Sequence, residues 1–153
     1  LYSTNINLKN LYKIDNYQWL ESTIKILRNQ DFSALDLENL IEELENVNSE
    51  KRNNVINLLE QIIRNLLLLE YWLSEQEYNR EDWLGEIYTF RIELKRKLTP
   101  NLRNYLANEL DSIYQDALGF VQIKTKNSVD FTDNCPYSLE QLLDIKYIPD
   151  DYE

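Results

Sequence analysis

The chain contains no histidine. That absence excludes Ser-His-Asp and Cys-His catalysis and any imidazole general base. There is one cysteine, Cys135, so the usual zinc sites lack their soft ligands. The Glu-x-x-His pattern of di-iron bundles cannot be written either. One cysteine allows no intrachain disulfide, which fits a reducing compartment. Glycine and proline are scarce, 2 and 3 in 153 residues. All-β folds need many tight turns, and doubly wound α/β folds need Gly-rich loops. A chain with so few places to turn should be built from long helices. Gly85 and Gly119 alone cannot form a phosphate-cradling loop. The longest apolar run, Leu66 to Leu69, is far too short to span a membrane. The N-terminal residues show no basic, apolar, small-residue signal pattern. The expectation is a single all-α domain over residues 1–153, located in the cytoplasm.

What is present is acid. The formal net charge is −11, with 27 Asp and Glu against 16 Lys and Arg. Such a field repels nucleic acid and anionic membrane surfaces. A local basic patch remains conceivable around Arg91, Lys95, Arg96 and Lys97. Hydrophobic residues at 43% and charged residues at 28% give a globular balance.

Helical spacing and capping signals organise the chain. Asp15 with Gln18 forms a capping-box pattern, and Tyr17, Leu20, Ile24 and Leu27 recur behind it at helical spacing. This predicts a helix from Asn16 to about Asn29. Asp36 caps a second helix with the apolar stripe Leu37, Leu40, Ile41, Leu44. Either Asn46 or Asn48 ends it, with Ser49 capping a new helix, or the helix runs through. A central helix, apolar nearly all round, is predicted from about Glu50 to Leu73. Its periodic core is Val55, Leu58, Leu59, Ile62, Ile63, Leu66 and Leu69. Ser74 to Asn79 reads as a polar loop, and a helix starting near Arg80 carries Trp83, Ile87, Phe90, Leu94 and Leu98. Thr99-Pro100 is a strong helix start. Lys124 to Asn134 reads as a loop, Ser138 with Gln141 opens a short helix to about Leu143, and Tyr147 to Glu153 reads as extended. The sum is a compact bundle of about five main helices, a short C-terminal helix and a tail.

Seven carboxylates and no Lys or Arg lie between Asp31 and Glu50. On the second helix Asp36, Asn39 and Glu43 form one polar stripe, and Glu38, Glu42 and Glu45 form another. Such stripes could hold Mg²⁺ or Ca²⁺ or orient a basic partner. They also suit a solvated helix face whose first acids complement the helix dipole. Trp83 and Tyr88 with Arg91 could form a cation–π cluster, set against ordinary core packing. Trp19 and Trp72 read as packing residues. Cys135 has no neighbouring base and reads as a buried or incidental thiol.

These residues together resemble a family. The pieces are Tyr17-Gln18-Trp19-Leu20 and Leu27-Arg28-Asn29, then the block from Phe32 through Asp36, Asn39, Glu42 and Glu43 to Glu45. Further pieces are Glu70-Tyr71-Trp72, Trp83 with Ile87 and Arg91, Thr99-Pro100 through Leu106, Phe131 through Tyr137, and Leu142-Leu143-Asp144. The ordered set resembles a bacterial family, abundant in cyanobacteria, of domain of unknown function 29. The resemblance implies an all-α fold and assigns no activity. Asn65, Leu73, Asn48 and Thr132 stand where that family often has His, Pro, Gly and Pro. The resemblance draws attention to Asp36, Asn39, Glu42, Glu43, Trp83 and Arg91. They would form either a shared surface site or an architectural network in which Arg91 pairs with Asp36 or Glu43 between packed helices.

The reading that follows is a non-catalytic interaction or regulatory module with an acidic surface. It would take a protein partner or associate with itself, and would bind neither nucleic acid nor membrane. The alternative is a divalent-metal-dependent hydrolase or nuclease using Asp36, Asn39, Glu42 and Glu43. No catalytic residue, metal ligand or cofactor is assigned.

Overall fold

A computed structural model describes residues 7–149. Among them are six α-helices and no strand: α1 Leu8–Ile14, α2 Asn16–Arg28, α3 Leu37–Tyr71, α4 Leu73–Lys97, α5 Pro100–Lys124 and α6 Leu139–Leu143. A 3-10 turn spans Phe32–Ala34. The fold is all-α, with five main helices and a short C-terminal one. Three boundaries bear on the expected helices: one resolves the alternative left open at Asn48, and two depart from expectation.

The first is Asn48. The helix runs through it, so the second and third expected helices are one element of 35 residues. An interior Asn costs about 0.6 kcal/mol relative to Ala, too little to break a helix anchored in a core farther along. The second is 74–79, which is helical, because α4 begins at Leu73. These residues are polar, but Glu75, Gln76 and Glu77 are good helix formers, and Glu75 lies in the first turn, where the dipole favours it. The chain bends instead at Trp72, with φ −90° and ψ 67°. Gln76 Nε2 donates to the Leu69 carbonyl across the bend at 2.8 Å, satisfying an acceptor at the end of α3. The third is α1, which the spacing did not reveal. Asn7 caps it by accepting the Lys9 N–H, and none of its residues is buried.

Several signals appear as read. Asp15 accepts the Gln18 N–H at 3.1 Å. Thr99 accepts the Leu102 N–H, with Pro100 in the first turn. Ser138 and Gln141 close a full capping box on α6. Both glycines lie inside helices, so left-handed backbone falls to other residues: Gln30 at φ 59° after α2, and Lys126 and Asn127 at φ 55° and 57° after α5. Residues 147–149 have no regular structure. The rest of the expected tail, 150–153, lies outside the described residues.

The chain divides into two compact units, the first ending at Glu50 and the second beginning at Lys51. The C-terminal unit contains the hydrophobic core. Val55, Leu59, Ile62, Ile63, Leu66, Leu67 and Leu69 of α3 pack with Trp83, Ile87 and Leu94 of α4 and with Leu106, Ile113, Tyr114, Ala117 and Val121 of α5. Phe131, Tyr137, Leu139 and Leu142 join the same core. The N-terminal unit is different in kind: of its described residues only Trp19, Thr23 and Asp36 are buried.

An unbroken α3 makes a specific prediction. If Asn46 and Asn48 lie inside a helix, replacing both by Ala should stabilise the protein by about 1 kcal/mol, read from chemical denaturation. A loss of stability would show that an Asn terminates the helix.

Candidate functional site

The centre of the N-terminal unit is a polar cluster. Trp19 of α2 is fully buried, and its indole Nε1–H donates to Asp36 Oδ2 at 3.1 Å. Asn39, one turn into α3, donates to the same oxygen at 2.7 Å. Asp36 is 5% exposed, and its Oδ1 has no donor. The residue sits directly before Leu37, where a helix cap belongs, and its carbonyl accepts the Leu40 N–H. Its carboxylate, however, is committed to Trp19 and Asn39. The Tyr12 ring meets Trp19 edge-on, with centroids 4.7 Å apart, and the Tyr12 hydroxyl donates to Glu43 at 3.0 Å. Burial, and then the Glu43 and Glu42 carboxylates, push the Tyr12 phenol from 10.0 up to about 12.

This cluster fixes which side of each helix faces inward. On α3 the half-buried and buried positions are Asp36, Asn39, Leu40 and Glu43, largely the polar stripe. The apolar stripe lies outward: Leu37 is 59% exposed, Ile41 49% and Leu44 60%. The same inversion holds on α2. Its inner positions are Trp19, Leu20, Ser22, Thr23 and Ile26, while Tyr17, Ile24 and Leu27 are exposed. Most of the two stripes that read as core faces in the sequence therefore faces outward in this unit, with Leu20 and Leu40 half-buried at their inner edges. Glu38, Glu42 and Glu45 are exposed and run along one edge of the α3 stripe.

Arg91 and Trp83 do not belong to this cluster. Arg91 is 2% exposed in the C-terminal unit. Its Nε donates to the Leu142 carbonyl at 2.8 Å, Nη1 to Tyr147 at 2.7 Å and Nη2 to Gln141 at 3.0 Å. The expected pairing with Asp36 or Glu43 is replaced by this triple contact, which satisfies carbonyls at the end of α6 that the short helix leaves open. Burial pushes the Arg91 pKa down to about 10, with Asp144 and Tyr147 opposing the shift, so the group remains charged at neutral pH. A buried Arg91 also drops out of any basic patch. Lys95, Arg96 and Lys97 remain exposed in the last turn of α4. Trp83 stacks on Trp72 at 6.1 Å, not on Arg91. Cys135 is half-buried and donates to the Tyr137 carbonyl at 3.4 Å. Burial raises its thiol pKa, which disfavours the nucleophilic thiolate.

Of the six candidate residues, the structure brings Asp36, Asn39, Glu42 and Glu43 into one unit and places Trp83 and Arg91 in the other. Nothing in the helical spacing marks Tyr12 as part of the cluster, and Trp19 is a hydrogen-bond donor to Asp36 as well as a packing residue. An indole N–H must find an acceptor when buried, and that rule could have paired Trp19 with an acid. Among the described residues no three His, Cys, Asp or Glu side chains are gathered so as to hold a metal ion. No helix among them is long and apolar enough to cross a membrane.

The family model described as domain of unknown function DUF29 matches residues 11–148, and the chain belongs to that family. No curated protein and no solved structure matches the chain.

Two outcomes test these clusters. A phenol whose folded pKa lies above its unfolded value stabilises the fold fully below pH 10, and that contribution is lost as pH rises through about 12. The wild-type chain should therefore lose more stability across this window than Tyr12→Phe does. Equal losses would place the phenol elsewhere. Arg91→Met leaves three carbonyls without their donor, at about 1–3 kcal/mol for each that stays buried. Hydrogen exchange should show residues 139–148 opening first, and protection unchanged there would contradict the clamp.

Proposed function

We propose that this member of the DUF29 family is a non-catalytic interaction module that docks a protein partner through the outward apolar stripes of its N-terminal unit. One observation carries the reading: that unit turns a polar cluster inward and leaves Leu37, Ile41 and Leu44 of α3, with Ile24 and Leu27 of α2, exposed. Nine of its large hydrophobic residues, from Ile14 to Val47, are exposed. Scattered exposed apolar residues are ordinary, but apolar residues repeating at helical spacing along one face are a docking pattern. Each of Leu37, Ile41 and Leu44 is about half exposed, so covering it contributes about 1–1.5 kcal/mol before the costs of ordering a partner.

The remaining features support a binding role. The chain has no histidine. The hydrogen bonds to Asp36 and Glu43 come from Trp19, Asn39 and Tyr12, so these acids act in architecture. The acidic edge beside the stripe disfavours nucleic acid and anionic membranes as partners. The single thiol fits the cytoplasm as location.

The double variant Ile41→Asp, Leu44→Asp is the test. On a docking face it should leave the fold intact and cost no more than about 1.5 kcal/mol, from helix propensity and like-charge neighbours alone. It should also reduce binding of a hydrophobic dye. If the stripe were core, the same variant would cost about 2–5 kcal/mol or more, and the reading would fall.

A further inference from the structure

The partner of the α3 stripe can be specified further, on the premise that the stripe is a docking face. We infer that it takes an amphipathic helix with a cationic flank, a helix whose leucine-like residues cover Leu37, Ile41 and Leu44 while its Lys or Arg residues meet Glu38, Glu42 and Glu45.

Charge complementarity carries the argument. Glu38, Glu42 and Glu45 sit at i, i+4 and i+7, on the face adjoining the apolar stripe, and all three are exposed. From Asn29 to Glu50 the chain has no Lys or Arg. The row therefore has no cation of its own helix to pair with at i+3 or i+4. The cation found beside it comes from α1: Lys9 Nζ lies 3.9 Å from Glu38, in a pair exposed on both sides. Exposed pairs of this kind are weak and readily exchanged. A partner bringing several cations would replace water along the whole row and fix the register of the apolar contact.

The same charges argue against a second copy of this chain. In an antiparallel two-fold pair of α3 stripes, the glutamate row of one copy would lie beside that of the other. In a parallel pair it would meet the opposite flank of the stripe, where Asn39 and Glu43 are already engaged by Asp36 and Tyr12. Between Leu37 and Glu50 neither arrangement brings a Lys or Arg of α3 to the row, and like charges at such flanks are destabilising. An anionic helix meets the same repulsion.

The experiment titrates the full chain by calorimetry with two synthetic amphipathic helices of equal length. One is built from leucine and lysine, the other from leucine and glutamate. The lysine peptide should bind at least about tenfold more tightly at about 50 mM salt, with the advantage shrinking at about 500 mM. Leu44→Asp is the decisive variant, because it adds an acid while removing the apolar contact. Docking on the stripe predicts at least about tenfold weaker binding of the lysine peptide, whereas attraction by net charge alone predicts tighter binding. The triple variant Glu38→Gln, Glu42→Gln, Glu45→Gln should cost about tenfold at low salt and less at high salt. Equal binding of the two peptides would overturn the cationic assignment and leave the docking face standing. Binding of neither, or tighter binding to Leu44→Asp, would overturn both. A concentration-dependent dimer of the chain that Leu44→Asp dissociates would identify a second copy as the occupant and overturn this inference alone.

Discussion

The hydrogen bond from the Trp19 indole to Asp36 decides which face of α3 meets the rest of the N-terminal unit. A buried carboxylate is costly unless donors reach it, and a buried indole N–H needs an acceptor. Each group supplies what the other requires, and Asn39 adds a second donor on the same side of the helix. Once that side is turned inward, helical geometry leaves no choice for the neighbouring arc. Leu37, Ile41 and Leu44 lie about a third of a turn or more away and face out. Tyr12 extends the cluster by packing on Trp19 and reaching Glu43.

A unit held together in this way gains little from apolar burial. Three buried residues among those described do not make a core, and small units commonly depend on metals, disulfides or association to be stable. This unit has no disulfide, and it carries several exposed apolar side chains. The exposed stripe of α3 is thus both the apolar surface the unit leaves uncovered and the one on which the proposed docking rests. The C-terminal unit needs no such completion. Its core draws on α3, α4, α5 and the segment beyond, and Arg91 spends its guanidinium fastening that segment to α4.

Much of the fold was legible in the residues. Asp15, Thr99 and Ser138 announced helix starts because a short polar side chain before an apolar repeat has one energetically favoured use. Val55 to Leu69 announced the core because a helix apolar on nearly every face cannot be solvated. The boundaries at Asn48 and Ser74 were harder to read, since local propensity there differs by less than tertiary packing supplies. Leu73 to Asn79 is helical because α4 can begin directly after the bend at Trp72, with Gln76 covering a carbonyl left open at the end of α3.

The candidate site shows the sharper division. The sequence by itself determined that α3 carries a polar stripe, an apolar stripe and a glutamate row side by side, because the helical period fixes their angular order. It also excluded histidine chemistry outright. Only the tertiary structure decided which stripe faces inward, because that depends on a residue seventeen positions away, Trp19, finding an acceptor in Asp36. It likewise separated Arg91 from the acids it was expected to pair with, because three carbonyls around α6 offered the guanidinium partners that no spacing in the sequence reveals.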